Sequence, residues 1–262
     1  MKRFTICIIL CFGVIFTNAQ TKEKAKSNKK PKEYIYPSNV IKLNLSGLLF
    51  KSVGVQYERK IGQHISAALG FIYRPTSGFL YYDVLSQNTA NTGFSTETAQ
   101  MYGTAKMGRL SITPEVRYYF KKNTPKGLYL SPFFRYQREV TPFKFNYYES
   151  NVNPNVQKTG NAIIKDNSVG VGILFGLQIL SRKKLAIDFW FLGPWFGQTK
   201  STLVSKINTT NINAFDKAII ASNMEPVYYN YAVNWNASGI NSINKRYSIG
   251  ARFIGINIGY NF

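Results

Sequence analysis

The chain offers little to an enzyme. His64 is the only histidine, and lipid-modifying or hydrolytic chemistry needs a nucleophile with an activated base beside it. Asp83, Asp166 and Asp216 stand in connecting segments with no carboxylate at a spacing that would make a dyad. The run VGVGILFG, residues 169–176, carries a GxG, yet alternation continues through its glycines and no helix pattern follows, so the context of a phosphate-binding loop is missing. Both cysteines, Cys7 and Cys11, lie within the first 19 residues, which leaves no thiolate beyond them. No catalytic residue, cofactor or metal is therefore expected. Six charges do attract notice: Lys42, Glu58, Glu115, Arg117, Arg135 and Asp188 all fall on the minor face of alternating segments, three acids against three bases. Unpaired buried charge is prohibitively costly, so an interior holding these six should pair and fill itself with them.

The elements that must position these charges read as strands. Val40–Gly47, Ser52–Lys60, Ile65–Arg74, Leu110–Phe120, Leu128–Gln137, Val169–Leu180, Leu185–Leu192 and Ile254–Phe262 each alternate apolar with polar or small residues. The last is the plainest: Ile254, Ile256, Ile258, Tyr260 and Phe262 share one face, and Gly255, Asn257, Gly259 and Asn261 the other. Pro114 and Pro132 each remove a ladder donor from the apolar face of neighbouring strands, which predicts a bulge or bend there.

Connections alternate in length. Ile61–His64, Lys121–Lys126 and Ser181–Lys184 are short, whereas residues 76–108, 139–167 and 194–246 read as long loops. Residues 1–19 have two basic residues, an apolar stretch from Ile6 to Phe16 and small residues at Thr17-Asn18-Ala19, as in a secretory signal removed before Gln20. Residues 20–38 are Lys-rich and poor in apolar side chains, a disordered periplasmic leader, and residues 39–262 form the folded body. The formal charge of +21 would suggest nucleic acid in a cytosolic protein. Behind an export signal it points instead to anionic lipid or cell-wall polymer, and no nucleic-acid partner is expected.

The expected fold is all-β: an eight-stranded antiparallel up-and-down transmembrane β-barrel with short periplasmic turns and long extracellular loops. A soluble carrier barrel would turn its apolar face inward, but the minor face here holds Gly54, Gly70, Gly170, Gly172, Gly176, Gly255 and Gly259, as the crowded lumen of a narrow barrel requires. Aromatics near strand ends, Tyr57, Tyr118, Phe120, Tyr260 and Phe262 at one rim and Tyr73, Phe134, Tyr136, Trp195 and Phe196 at the other, would form the interfacial girdles. In such a barrel His64 lies in the first periplasmic turn, away from any outer-leaflet substrate.

With its export signal, alternating strands and terminal Phe262, the chain resembles the OmpA-like superfamily of small outer-membrane barrels. VIKLNLSGLLFKSVGVQYERKIGQHISAALGF, SVGVGILFGLQIL and LAIDFWFLGP resemble, more narrowly, a domain-of-unknown-function family of single-domain Gram-negative outer-membrane barrels. The resemblance implies that Ile254, Ile256, Ile258, Tyr260 and Phe262 form the insertion signal read by the barrel assembly machinery. The function expected is that of a non-enzymatic integral outer-membrane protein, a structural surface protein or an accessory subunit of an envelope assembly. Outer-membrane lipid and lipopolysaccharide are its expected surroundings. The aromatic loops, with Tyr81, Tyr82, Tyr147, Tyr148, Tyr228, Tyr229 and Trp235, offer a recognition surface for an envelope protein. The alternatives are a narrow gated small-solute channel, disfavoured by the filled lumen, and an outer-membrane lipid-modifying enzyme, disfavoured by the position of His64.

Overall fold

The computed structural model describes residues 37–78, 96–122, 125–149, 151–229, 231–236 and 238–262. The expected signal segment, all but the end of the leader, and Tyr81, Tyr82 and Asp83 lie outside the described residues. The strands are β1 (Asn39–Asn44), β2 (Val53–Lys60), β3 (Ile65–Gly78), β4 (Lys106–Tyr119), β5 (Gly127–Glu149), β6 (Asn153–Leu180), β7 (Leu185–Lys206), β8 (Trp235–Asn236), β9 (Gly239–Arg252) and β10 (Gly255–Asn261). Among the described residues three helices join them: α1 (Leu45–Leu49), α2 (Thr96–Thr104) and α3 (Ala214–Met224).

Each strand from β1 to β7 pairs antiparallel with the next, and β10 pairs with both β7 and β1, so the sheet closes on itself. β9 and β10 share one place in the ring. Arg252 opposes Gly193 and Gly255 opposes Trp190 in a single register along β7, interrupted only at Phe253 and Ile254. The gap faces a bulge in β7, where its register against β6 shifts between Phe175 and Gly176. Eight strands therefore form the barrel, with the two-residue β8 added against β9. All eight segments read from the sequence contribute to the ring, but the first stops at Asn44: residues 45–47 turn into α1, where the Asn44 side chain accepts from the Gly47 amide.

The long loops require correction. Residues 139–149 and 153–167 are the upper halves of β5 and β6, paired directly with each other, and residues 194–206 and 239–246 belong to β7 and β9. At about 3.3 Å per residue and a tilt of about 40°, the 28-residue β6 rises about 70 Å, against an apolar band about 25 Å tall in membrane barrels. The wall made by β5, β6, β7 and β9 thus stands far above the short β1 and β2.

Along that wall the polarity inverts while the register does not. In the lower half of β5, Leu128, Leu130 and Phe134 point outward and Ser131 inward; in its upper half, Phe143, Phe145 and Tyr147 are buried inside and Lys144 is exposed outside. β6 changes likewise, with Val169, Val171 and Ile173 outward below and Ala162 and Ile164 inward above. The inverted region encloses an apolar core in which Met101 of α2, Ile220 and Met224 of α3, Val227, Tyr228 and Val233 pack on Phe143, Phe145, Ile164, Leu203 and Ile240. Helix α3 starts where the Asn213 side chain accepts from the Asp216 amide at 2.7 Å.

Pro114 and Pro132 point outward, but no bulge accompanies them. β4 and β5 keep one register from Gly108 opposite Val140 to Tyr119 opposite Tyr129, with the ladder thinned between Ile112 and Tyr118. Their donors would have faced ladder acceptors, and the sheet drops those bonds without inserting a residue.

Candidate functional site

Side chains fill the lower lumen. The Lys42 ammonium donates to Glu58 at 2.5 Å, to Asp188 at 2.9 Å and to the side-chain oxygen of Gln178. The Arg117 guanidinium reaches Glu115 and Asp188, each at 2.9 Å, and Glu58 at 3.2 Å. Ser66 at 2.5 Å and Tyr119 at 2.6 Å donate to Glu58, and Tyr129 donates to Asp188 at 2.7 Å. Gln56 accepts from Arg117 at 2.9 Å. Lys42, Glu58, Arg117 and Asp188 have fully buried side chains. They come from β1, β2, β4 and β7, so closure of the ring is what brings them together.

Arg135 is the exception. It is half-buried above the cluster, with Thr113 Oγ1 at 3.4 Å as its hydrogen-bond partner. The third base is Arg252, whose guanidinium donates to Glu115 at 2.5 Å and lies 4.5 Å from the centre of the Trp190 ring. Arg252 sits at the end of β9, on the polar side of the alternation Tyr247, Ile249, Ala251 and Phe253, a local signal that lay inside a segment read as loop. The balance of three acids and three bases is kept with this exchange.

An apolar layer of Tyr119, Tyr129, Phe133, Leu174 and Trp190 packs on the charges, and Trp195 packs on it. Trp195 therefore leaves the outer girdle assigned to it: strand alternation allows only one of Trp195 and Phe196 to face out, and Phe196 does. Gly170 and Gly250 flank the Trp195 indole, where an added Cβ would come within 2.7 and 2.5 Å of ring atoms. Between Gln56, Glu115, Trp190 and Arg252 a void of about 20 Å³ is left, room for about one water.

The other singled-out residues separate clearly. Ile254, Ile256, Ile258, Tyr260 and Phe262 all face outward, and Gly255, Asn257 and Asn261 are buried inside. In the tall cap, Tyr148 and Tyr229 are exposed, Trp235 is half-buried against the core, and Tyr147 and Tyr228 are buried within it. Those two are corrected from recognition surface to core, because the inverted phase of the upper strands turns them inward. The Tyr228 hydroxyl lies within donating distance of the Ser201 and Ser242 carbonyls, at 3.0 and 3.1 Å. Tyr229, at φ 57°, donates to Asp166 at 2.6 Å, and Arg246 stacks 3.9 Å over its ring. Although the residue is partly exposed, desolvation of its hydroxyl, then the hydrogen bond to the Asp166 carboxylate, pushes the Tyr229 phenol above the ordinary tyrosine range.

His64 Nδ1 lies 2.8 Å from the Tyr119 carbonyl, and its ring stacks on Tyr118 at 5.6 Å, which ties the short β2–β3 turn to β4. Asp166 is buried inside the wall and Asp216 stands in the first turn of α3, so the structure does not unite them with His64. Among the described residues no group of three His, Cys, Asp or Glu side chains could hold a metal.

Residues 6–217 match the model of a family described as protein of unknown function, DUF3575. The chain belongs to the DUF3575 family. The match ends within α3, so in this DUF3575 protein the two strands that close the ring, β9 and β10, lie beyond it. No curated protein matches the chain. Among solved structures, a major outer membrane protein of Thermus thermophilus is similar at 12% identity and a TM-score of 0.40, over 87% of this chain and 100% of that one. The translocator domain of the autotransporter NalP from Neisseria meningitidis is similar at 10% identity and a TM-score of 0.32, over 88% and 90%. Both likenesses are too loose to carry a conclusion about this DUF3575 chain.

Proposed function

We propose that this DUF3575 protein is a non-enzymatic integral β-barrel of the outer membrane of a Gram-negative bacterium, with a plugged lumen and a tall external cap. One observation carries the reading: the lower barrel is polar and charged inside and apolar outside. Ile41, Val55, Leu69, Val116, Leu130, Val171, Ile187 and Ile258, one from each ring strand, point outward, while Lys42, Glu58, Glu115, Arg117 and Asp188 are buried within. Water would reject that exterior, whereas a bilayer accepts it, because closure of the ring leaves no open sheet edge. The short turns lie with Asn39 and Phe262 at one end, alongside Arg59, Lys60, Lys121, Lys122, Arg182, Lys183 and Lys184, and this end faces the periplasm. The cap stands outside the cell as a structural surface module or as the contact of an envelope assembly, with Tyr148 and Tyr229 available to a partner.

The test is site-directed labelling of the folded protein in vesicles. A thiol introduced as Val171→Cys should resist a water-soluble maleimide and be quenched by a lipid-borne nitroxide. A thiol at Asn146 in the cap should react freely. Rapid aqueous labelling at residue 171 would end the membrane reading.

A further inference from the structure

The outer face of the tall wall carries a band of cations at the level where polarity inverts. Lys200 of β7 lies directly opposite Lys245 of β9, and Asn167 of β6 joins Lys200 to the row of Arg138 on β5. Lys200, Lys245 and Arg138 are exposed on the outside. Every carboxylate of β4 to β9, namely Glu115, Glu139, Glu149, Asp166 and Asp188, falls on the inward side of its strand and pairs there with a base. Like charges directly opposite across two strands are destabilising, and this pair has no acid beside it among the described residues to offset the repulsion.

Around the pair, Asn167, Val169, Gln198, Lys200, Lys245 and Tyr247 line a recess of about 530 Å³. Two residues down the same strands begins an apolar groove of about 980 Å³ on the outer surface, lined by Pro114, Pro132, Phe134, Val171, Pro194 and Phe196, among others. The groove exists because prolines and Ala67 stand in ladder rows with Val116 and Ile173, leaving a shallow lane between bulkier rows. Recess and groove meet at the Phe196 and Tyr247 rings, stacked 5.9 Å apart. A cationic, amide-lined pocket opening onto an apolar lane has the layout of an amphiphile: phosphate above, acyl chain below.

We infer that this surface is a binding site for a phosphorylated lipid of the outer leaflet, its phosphate held between Lys200 and Lys245 with Asn167 and Gln198 donating, and an acyl chain lying along the proline-lined groove. The inference rests on the outer-membrane reading above and adds to it a defined lipid class and a defined side of the barrel. Charge complementarity supplies the anion, and the adjoining apolar lane selects a lipid over a soluble phosphate.

The experiment uses the full chain, matured and folded in a neutral detergent, with native mass spectra recorded after incubation with a diphosphorylated acylated glucosamine disaccharide or with phosphatidylcholine. The phosphorylated glycolipid should stay bound one to one and phosphatidylcholine should not. Lys200→Gln/Lys245→Gln should lower retention at least tenfold, and Val171→Trp, which fills the groove while leaving the lysines intact, should lower it several-fold. Millimolar inorganic phosphate should displace little of the glycolipid. Equal retention of phosphatidylcholine, full retention by the lysine variant, complete displacement by phosphate, or a protein dimer in place of the lipid-bound monomer would each overturn the site. The heat-dependent gel shift of a folded barrel is read on every sample. A normal shift with no lipid bound defeats this inference alone, whereas no shift in any sample defeats the barrel reading.

Discussion

Arg117→Met tests whether the lumen is held by one electrostatic unit. Arg117 is fully buried, touches Glu115 and Asp188 at 2.9 Å and Glu58 at 3.2 Å, and lies 4.4 Å from the centre of the Tyr129 ring. With Lys42 and Arg252 as the other bases and the three carboxylates opposing them, the cluster is neutral; methionine leaves it at minus one with a side chain of similar length. Removing one partner of a buried pair costs about 3–5 kcal/mol, chiefly because the remaining charge is uncompensated. At an m-value of about 2 kcal/mol per molar urea, that lowers the unfolding midpoint by about 2 M. Asp188→Asn alone leaves the cluster at plus one and should also destabilise. The double variant restores neutrality, so its loss should fall short of the sum of the singles by about 2 kcal/mol. Urea titration in vesicles, followed by tryptophan emission from Trp190 above the cluster, measures all four corners. A midpoint shift below about 0.5 M for Arg117→Met, or additive losses in the double variant, would refute the idea of a single coupled plug.

The same plug should leave the unaltered protein without steady conductance in planar bilayers and let Arg117→Ala pass a measurable current; a large stable current from the unaltered protein would dismiss the plug. Gly250→Ala drives a Cβ into the Trp195 indole and should cost about 1–3 kcal/mol, with the loss erased in a Trp195→Ala background; persistence of the loss there would place its cause elsewhere. Because the Tyr229 phenol is raised in the folded state, the stability it contributes is present below its unfolded value of about 10 and lost as pH rises through the folded value. Unfolding of the cap should therefore steepen above about pH 10 and flatten in Tyr229→Phe, as read by hydrogen exchange near Asp166. Replacing residues 207–238 with a short turn should preserve the heat-dependent gel shift while exposing Phe143, Phe145 and Leu203 to a hydrophobic dye; no gain in dye binding would show that the cap core is not packed by this segment.

Alternation is a local property, and every stretch of strand that meets a uniform exterior was legible in the sequence. Ile254 to Phe262 needs no neighbour to show which side is apolar. The glycines of the minor face and the inward charges Lys42, Glu58, Glu115, Arg117 and Asp188 followed from the same phase. The upper strands escaped because their environment changes along their length. In β5 the apolar residues move from Leu130 and Phe134 outside to Phe143 and Phe145 inside, and across that inversion the pattern dissolves into what reads as loop. β9, GINSINKRYSIGAR, was hidden because Asn241 and Lys245 interrupt its outward row of Ile243, Tyr247 and Ile249.

Eight alternating segments, the apolar side of each and the placement of the balancing charges on the other side could all be read from the chain alone, because each is written within a few residues. Which of those charges meet was settled by the assembled barrel. Arg252, and not Arg135, completes the lumen cluster because pairing along β7 carries the end of β9 to Glu115, a matter of register between segments distant in the chain. The same assembly put Tyr228 in a core, and Lys200 opposite Lys245, since pairing partners follow from closure of the ring and no residue carries its partner's number.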